Sequence, residues 1–220
     1  MPAALSRPVR AFVFDLDGTL IDSKLDLVHS VNAMLRQTSR PELPVDLVAS
    51  YVGHGAPRLI ASVLGPHSSE SDRKLGLELF LSHYRDHCLD FTRPYPGVLE
   101  GLQSLALLPL SVLTNKPLDL SLRILDGLGL SKFFRSAYGG DSFSTKKPDP
   151  AGVLRILLEL GVPPAESAMV GDSDVDVQTA RNASMHAVAV SYGFGKYDRL
   201  ANPADIYVDR LDDLPRLVSV

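Results

Sequence analysis

The chain has 220 residues, 45% hydrophobic and 22% charged, and its 22 Lys plus Arg against 26 Asp plus Glu give a formal net charge of -4. This composition predicts a packed core and excludes the basic face that a nucleic-acid-binding protein needs. The single cysteine, Cys88, together with the lack of a membrane-length apolar run or a signal-peptide pattern, predicts a cytoplasmic protein that binds no membrane.

The first predicted element is a short apolar strand at residues 9–14, which ends at Asp15. Further buried strands are predicted at residues 110–113, 168–170, 187–190 and 206–208. Segments with helical periodicity lie among them, at residues 98–107, 118–128, 151–160, 175–183 and 212–218. Strands that alternate with helices indicate an α/β fold with a doubly wound, Rossmann-like parallel sheet. The carboxyl ends of such strands share one edge, where ligands bind.

Residues 23–91 differ in character, because their periodicity is helical and they contain no convincing strand. The helical segments are expected at residues 25–35, 45–51, 57–64 and 71–88, separated by Pro, Gly and Ser clusters. We therefore expect an inserted α-helical cap domain at 23–91, with residues 1–22 and 92–220 forming the α/β catalytic core domain. Residues 92–97 would be the return hinge.

The first cluster of candidate functional residues follows the first strand. Asp15 and Asp17 can face one site across Leu16, because successive extended residues alternate sides. Two carboxylates held close together repel each other unless a cation or a shared proton lies between them. Gly18 gives the chain freedom to turn away. Taken alone, this motif fits an acidic loop at a sheet edge equally well.

Two further clusters offer groups that bind phosphate. Thr114 and Asn115 end the strand at residues 110–113, and the Thr114 hydroxyl with nearby backbone N–H groups could hold an anion. Lys147 precedes Pro148 and could neutralise a phosphate as a point charge. The alternatives are an ordinary strand-end turn and a solvated lysine.

The fourth cluster follows the strand at residues 168–170 and contains Asp172, Asp174 and Asp176. Acids at alternate positions could supply the hard oxygen ligands that Mg²⁺ prefers. Alternatively, Asp172 or Ser173 caps the next helix, and the other acids are favourable charges in its first turn. Together the four clusters contain a nucleophile, phosphate anchors and metal ligands.

The chain resembles the haloacid dehalogenase superfamily along nearly its whole length, in Asp15-Leu16-Asp17-Gly18-Thr19, Thr114-Asn115, Lys147-Pro148 and Gly171-Asp172-Ser173 with Asp176. Within it, the chain looks most like the phosphoglycolate phosphatase branch, in residues 20–23, 51–55, 94–98 and 114–117. The resemblance implies a phosphatase that acts on a small phosphorylated metabolite, as a monomer or a homodimer.

The resemblance also implies roles for individual residues. Asp15 would attack phosphorus and form an aspartyl-phosphate, while Asp17 would act as acid and then as base. The expected cofactor is Mg²⁺, bound by Asp15, the Asp17 backbone carbonyl and Asp172. The substrate's phosphoryl group would lie beside residues from three clusters, namely Gly18, Thr114, Asn115 and Lys147. Asp176 would orient Lys147 or a metal-bound water.

Several related activities remain open at this point. Dehalogenases of this fold lack the second aspartate, so Asp17 favours phosphoryl transfer. A β-phosphoglucomutase-like phosphotransferase and a sugar-phosphate or pyrophosphate phosphatase share the same motifs. A phosphonatase would use a cap lysine, and only Lys24 and Lys74 are available there. A non-catalytic binding domain fits poorly, because all four clusters are intact.

The cap would set the substrate specificity. Gly53-His54-Gly55 lies in a predicted loop between cap helices, with Arg58 one turn further on. Arg58 could pair with a substrate carboxylate, and His54 could contact the substrate. The alternatives are a surface arginine and a histidine in a turn.

Overall fold

The computed structural model describes residues 8–195 and 198–218. The strands of this part of the chain are β1 (Ala11–Phe14), β2 (Ile21–Asp22), β3 (Arg93–Pro94), β4 (Leu110–Leu113), β5 (Ser136–Tyr138), β6 (Ser167–Gly171), β7 (His186–Val190) and β8 (Ile206–Val208). Within the described residues, six of them form a parallel sheet in the order β5-β4-β1-β6-β7-β8. The predicted Rossmann-like parallel sheet is confirmed.

The helices of the described residues are α1 (Lys24–Gln37), α2 (Val45–Ala49), α3 (Ala56–Leu64), α4 (Glu70–His87), α5 (Val98–Ser104), α6 (Leu118–Gly127), α7 (Ala151–Leu160), α8 (Asp174–Asn182) and α9 (Leu214–Leu217). Short 3₁₀ turns lie at Ser131–Phe133, Pro164–Glu166 and Leu211–Asp213. In the described part of the chain, none of these helices is long and apolar enough to cross a membrane.

The central strand β1 is buried on both faces, and this explains its continuous apolar sequence. Phe12 and Phe14 point to one face, where they join a hydrophobic cluster that reaches α5 and α6. Ala11 and Val13 point to the other face, where the cluster includes residues of α7 and α8. Helices therefore cover both faces of the sheet, as in other doubly wound folds.

Helices α1 to α4 lie between β2 and β3, which pair antiparallel where the chain leaves and re-enters the sheet region. Helices α1 and α4 pack together through buried residues such as Met34, Phe80 and Tyr84. The same hydrophobic cluster contains Phe12 and Phe14 of the sheet. The division into a cap at 23–91 and a core formed by the remaining residues stays a prediction.

Some elements differ from those predicted. Strand β5 was not expected, because its sequence Ser-Ala-Tyr is short and its side chains are only half-buried at the sheet edge. The helix predicted at 98–107 ends at Ser104. The last predicted helix, 212–218, is a 3₁₀ turn followed by the short α9, with Pro215 in its first turn.

Candidate active site

Three neighbouring strands end at the same edge of the sheet and bring distant parts of the chain together. Asp15 follows β1, Thr114 follows β4 and Asp172 follows β6, and β1 lies between the other two strands. All three side chains are buried. The loops after these strands therefore bring together two of the predicted metal ligands and one of the predicted phosphate anchors.

Three buried carboxylates form an acidic cluster, with oxygens of Asp15, Asp172 and Asp176 all within 4.8 Å of one another. Burial raises the pKa of Asp15 to about 6, against the opposing charge of Lys147 and with a further contribution from Asp176. Burial also raises the pKa of Asp172 well above its usual range, helped by the charges of Asp176 and Asp15. A further cation beside Asp15 and Asp172 would lower both pKa values again, because it would compensate the negative charge of these carboxylates.

Lys147 is the cation that the protein itself supplies to this cluster. Its Nζ atom lies 2.8 Å from Asp15 Oδ1 and 2.7 Å from Asp176 Oδ1. Burial lowers the pKa of Lys147, but the charges of Asp15 and Asp176 outweigh this effect and raise it. The other Asp176 oxygen accepts hydrogen bonds from the Ser173 backbone N–H and hydroxyl, at 3.2 and 2.7 Å. Asp176 is thus placed to orient Lys147.

Asp172 is held by groups on both sides. Its Oδ2 atom accepts a hydrogen bond of 2.6 Å from the Gly195 backbone N–H, and its Oδ1 atom accepts one of 3.4 Å from the Thr19 hydroxyl. Gly18 has a φ angle of +82°, and a Cβ atom there would lie 2.0 Å from Asp172 Oδ2. Gly18 is therefore required both for its backbone conformation and for the close approach of Asp172.

The chemistry of these residues fits a hard divalent cation. Asp15 and Asp172 offer carboxylate oxygens, which Mg²⁺ prefers, and burial raises the pKa of both although the charge of Lys147 opposes it. The buried Oδ1 atom of Asp15 accepts no well-directed hydrogen bond from the described residues, although Lys147 lies beside it. Both Asp176 oxygens already have partners, so Asp176 suits an orienting role better than ligation.

The Asp17 side chain lies outside the acidic cluster and has its own partners. Lys116 Nζ contacts both carboxylate oxygens, at 3.0 and 2.9 Å, and the Ser23 hydroxyl donates to Oδ1 at 2.5 Å. Lys116 also donates a 2.8 Å hydrogen bond to the hydroxyl of Tyr84 on α4. Sequence reasoning missed the contacts of Lys116 and Tyr84. The position of Lys116 directly after Thr114-Asn115 was the available signal, whereas nothing in the sequence singled out Tyr84.

Asn115 connects the sheet edge with two other segments. Its side-chain Nδ2 donates to the Gly53 carbonyl at 3.0 Å and to the Lys147 carbonyl at 3.1 Å. The Thr114 hydroxyl accepts a 3.3 Å hydrogen bond from the Lys116 backbone N–H. The Asn115 side chain therefore positions Lys147 and the loop before α3. The group of Asn115 that is predicted to bind the substrate is its backbone N–H.

A cavity opens in front of Asp15 and Asp17. Thr114, Asn115 and Lys116 form its wall on the sheet side. The opposite wall is mostly apolar and comes from α1, α3 and α4, through Leu27, Leu59, Phe80, Leu81 and Tyr84. The helices therefore enclose the space in which a group attached to a phosphate on Asp15 would lie.

His54 and Arg58 line a second, larger cleft. Its other side is formed by residues near the start of α8, including Ser173, Asp174 and Gln178. Burial lowers the pKa of His54, and the neighbouring Arg58 lowers it further. The structure does not bring His54 or Arg58 into the cavity that contains Asp17.

Comparisons with known proteins point to one family. A model of haloacid dehalogenase-like hydrolases matches residues 12–190. The chain is 39% identical over 218 residues to the phosphoglycolate phosphatase of Pseudomonas syringae pv. tomato, covering 95% of this chain and 78% of the relative. It is 42% identical over 201 residues to the phosphoglycolate phosphatase of Neisseria meningitidis serogroup A, covering 89% of this chain and 85% of the relative.

Two solved structures share the fold over nearly the whole chain. A predicted phosphoglycolate phosphatase from Haemophilus somnus has a TM-score of 0.89 and 29% identity, with 94% of this chain and 97% of the other covered. A predicted phosphatase from Clostridium acetobutylicum has a TM-score of 0.81 and 26% identity, with 95% and 97% covered. Since nearly the whole chain is matched, the similarity includes the inserted helices as well as the sheet.

Proposed function

The chain belongs to the haloacid dehalogenase-like hydrolase family, and we propose that it hydrolyses 2-phosphoglycolate to glycolate and phosphate with the help of Mg²⁺. The curated relatives named above are phosphoglycolate phosphatases. The observation that carries the proposal is Asp15 itself, a buried carboxylate at the end of the central strand that faces the cavity, beside Lys147 and the acidic cluster.

In the first step, an Asp15 carboxylate oxygen attacks phosphorus, and the bond between phosphorus and the ester oxygen breaks. Asp17 transfers a proton to the departing alkoxide, so that glycolate leaves with a hydroxyl group. In the second step, water attacks the phosphorus of the aspartyl-phosphate and gives a proton to Asp17. Phosphate leaves and the Asp15 carboxylate is regenerated.

The remaining site residues would hold the phosphoryl group in place. The Thr114 hydroxyl, the Asn115 backbone N–H and Lys147 bind its oxygens, while Asp176 keeps Lys147 oriented through the 2.7 Å ion pair. Gly18 allows Asp172 to approach the site closely. Mg²⁺ would be held by the Asp15 and Asp172 carboxylates and the Asp17 carbonyl, and it would compensate the negative charge of the carboxylates and the phosphoryl oxygens.

The experiment is a measurement of phosphate release from a panel of monoesters, including 2-phosphoglycolate, sugar phosphates, nucleotides and pyrophosphate. We expect the highest kcat/KM for 2-phosphoglycolate, and no turnover in EDTA. Asp15→Asn should abolish turnover of every substrate while leaving the circular dichroism spectrum unchanged, because an amide is a poor nucleophile. The variant must be checked by mass spectrometry for deamidation back to aspartate.

Two outcomes would contradict different parts of the proposal. A higher kcat/KM for another monoester would remove the substrate assignment and leave the phosphatase mechanism in place. Full activity in EDTA, or substantial activity of intact Asp15→Asn, would remove the mechanism itself.

A further inference from the structure

One residue that lines the cavity in front of Asp15 and Asp17, Lys116, carries a positive charge and has no role in the proposed mechanism. Among the described residues that line it, the charged ones are Asp15, Asp17 and Lys116. The Lys116 side chain is only 5% exposed, and its Nζ lies 4.4 Å from the centre of the Tyr84 ring. Much of the remaining wall consists of Leu and Phe side chains. The positive charge of Lys116 is therefore buried in a mostly apolar wall of this cavity, which we call the chamber. Burying a charge in this way costs free energy unless an anion lies beside it.

Asp17 is the anion that faces Lys116 in this structure, through contacts of 2.9 and 3.0 Å. In the proposed mechanism Asp17 contacts the ester oxygen, so the rest of the leaving group lies in the cavity beside Lys116, the one cationic residue among the described residues that line it. An anionic leaving group would there make a second ion pair with Lys116 Nζ. Such an anion must lie close to the ester oxygen, because Asp17 reaches that oxygen and Lys116 lies directly beside Asp17.

We propose that Lys116, supported by Tyr84, binds the carboxylate of the leaving acid and thereby selects phosphate esters of small hydroxy acids. This inference rests on the proposed function, because it takes Asp17 as the acid of the reaction. In phosphoglycolate the carboxyl group is bonded directly to the carbon that carries the ester oxygen. The ester oxygen can therefore contact Asp17 while the carboxylate contacts Lys116. A neutral leaving group makes no ion pair with Lys116 and therefore lacks this contact.

The position of Arg58 supports the assignment to Lys116. Arg58 lines the second cleft, next to Ser173 and Asp174, and does not line the chamber that contains Asp17. Tyr84 adds specificity from the helical side, because its hydroxyl accepts a 2.8 Å hydrogen bond from Lys116 and fixes the direction of the ammonium group. The carboxylate is thus bound by a residue of the sheet edge that the inserted helices position.

The test compares 2-phosphoglycolate with 2-hydroxyethyl phosphate, which has a neutral leaving group of similar size. For Lys116→Gln, we expect the ratio of the two kcat/KM values to fall by about ten- to a hundredfold relative to wild type, as for the loss of a charge-assisted contact. Lys74→Gln, at an exposed lysine on α4, is the matched control and should leave the ratio unchanged. Arg58→Gln should leave it unchanged as well.

Several results would overturn the inference and leave the phosphatase function standing. Equal losses on both substrates in Lys116→Gln would mean that Lys116 serves only Asp17. A collapse of the ratio in Arg58→Gln would assign the carboxylate to the second cleft. If the wild type, correctly folded and supplied with Mg²⁺, hydrolysed no monoester at all, the proposed function would fail first.

Two further measurements apply if Lys116→Gln does not fold. Tyr84→Phe should lower the same ratio, by less than Lys116→Gln would, and an unchanged ratio would contradict the role of Tyr84. In the wild type, glycolate should inhibit p-nitrophenyl phosphate hydrolysis competitively, whereas ethylene glycol at the same concentration should not. Equal effects of glycolate and ethylene glycol would contradict carboxylate binding by Lys116.

Discussion

The two aspartates of one short motif are placed in different electrostatic environments. Asp15 lies in the acidic cluster beside Lys147, whereas Asp17 lies two residues away and pairs with Lys116. Each carboxylate therefore has its own lysine, and the two lysines come from different loops. This separation suits a nucleophile that must be unprotonated at the same moment as its neighbour donates a proton.

The raised pKa of Asp15 makes the stability of the metal-free protein depend on pH. Burial raises this pKa from 3.8 to about 6, so the folded protein binds the Asp15 proton more tightly than the unfolded chain does. The stabilisation from this proton is fully present below about pH 4 and is lost as the pH rises through about 6, a change of about 3 kcal/mol.

The measurement is urea unfolding in EDTA at several pH values, for wild type and Asp15→Asn. The variant cannot ionise at this position. As the pH rises from 4 to 7, the free energy of unfolding of the wild type should therefore fall relative to that of the variant. A difference between the two proteins that stays constant over this range would show that Asp15 titrates normally. Adding Mg²⁺ at pH 7 should stabilise the wild type more than the variant.

At the scale of elements, the junction between the inserted helices and the sheet is held by one buried acid. Asp26, in the first turn of α1, accepts hydrogen bonds from the Thr92 backbone N–H at 2.8 Å and hydroxyl at 2.6 Å, and from the Phe91 N–H at 3.0 Å. Asp26 and Thr92 are both buried. The acid thus ties the chain that leaves the sheet region to the chain that returns, beside the β2–β3 pair.

Asp26→Asn should reveal the strength of this junction, because the amide nitrogen cannot accept the hydrogen bonds that a carboxylate oxygen accepts. We expect a loss of about 1.5–3 kcal/mol in the free energy of unfolding, measured by urea denaturation. Asp86→Asn, at an exposed acid of α4, is the matched control and should change it by less than about 0.5 kcal/mol. Equal small effects of the two substitutions would contradict the role of Asp26.

In the molecule as a whole, the strands of the sheet are easier to predict from the sequence than the contacts between residues that are distant in the sequence. Strands β1, β4 and β6 are buried on both faces, so their apolar runs are visible in the sequence, and so are the polar clusters that follow them. The edge strand β5 is half-buried and lacks such a run. Lys116 lies 99 residues from Asp17 and 32 from Tyr84, and no local pattern indicates contacts over such separations.

The transfer of the phosphoryl group to Asp15 can be observed in the Asp17→Asn variant. With p-nitrophenyl phosphate and Mg²⁺, the leaving group needs no proton, so the first step should still proceed, whereas the second step lacks its base. After an acid quench, mass spectrometry should find one added phosphoryl group on the peptide that contains Asp15. Release of p-nitrophenol without a phosphoryl group on this peptide, or with one on another residue, would show that Asp15 is not the nucleophile.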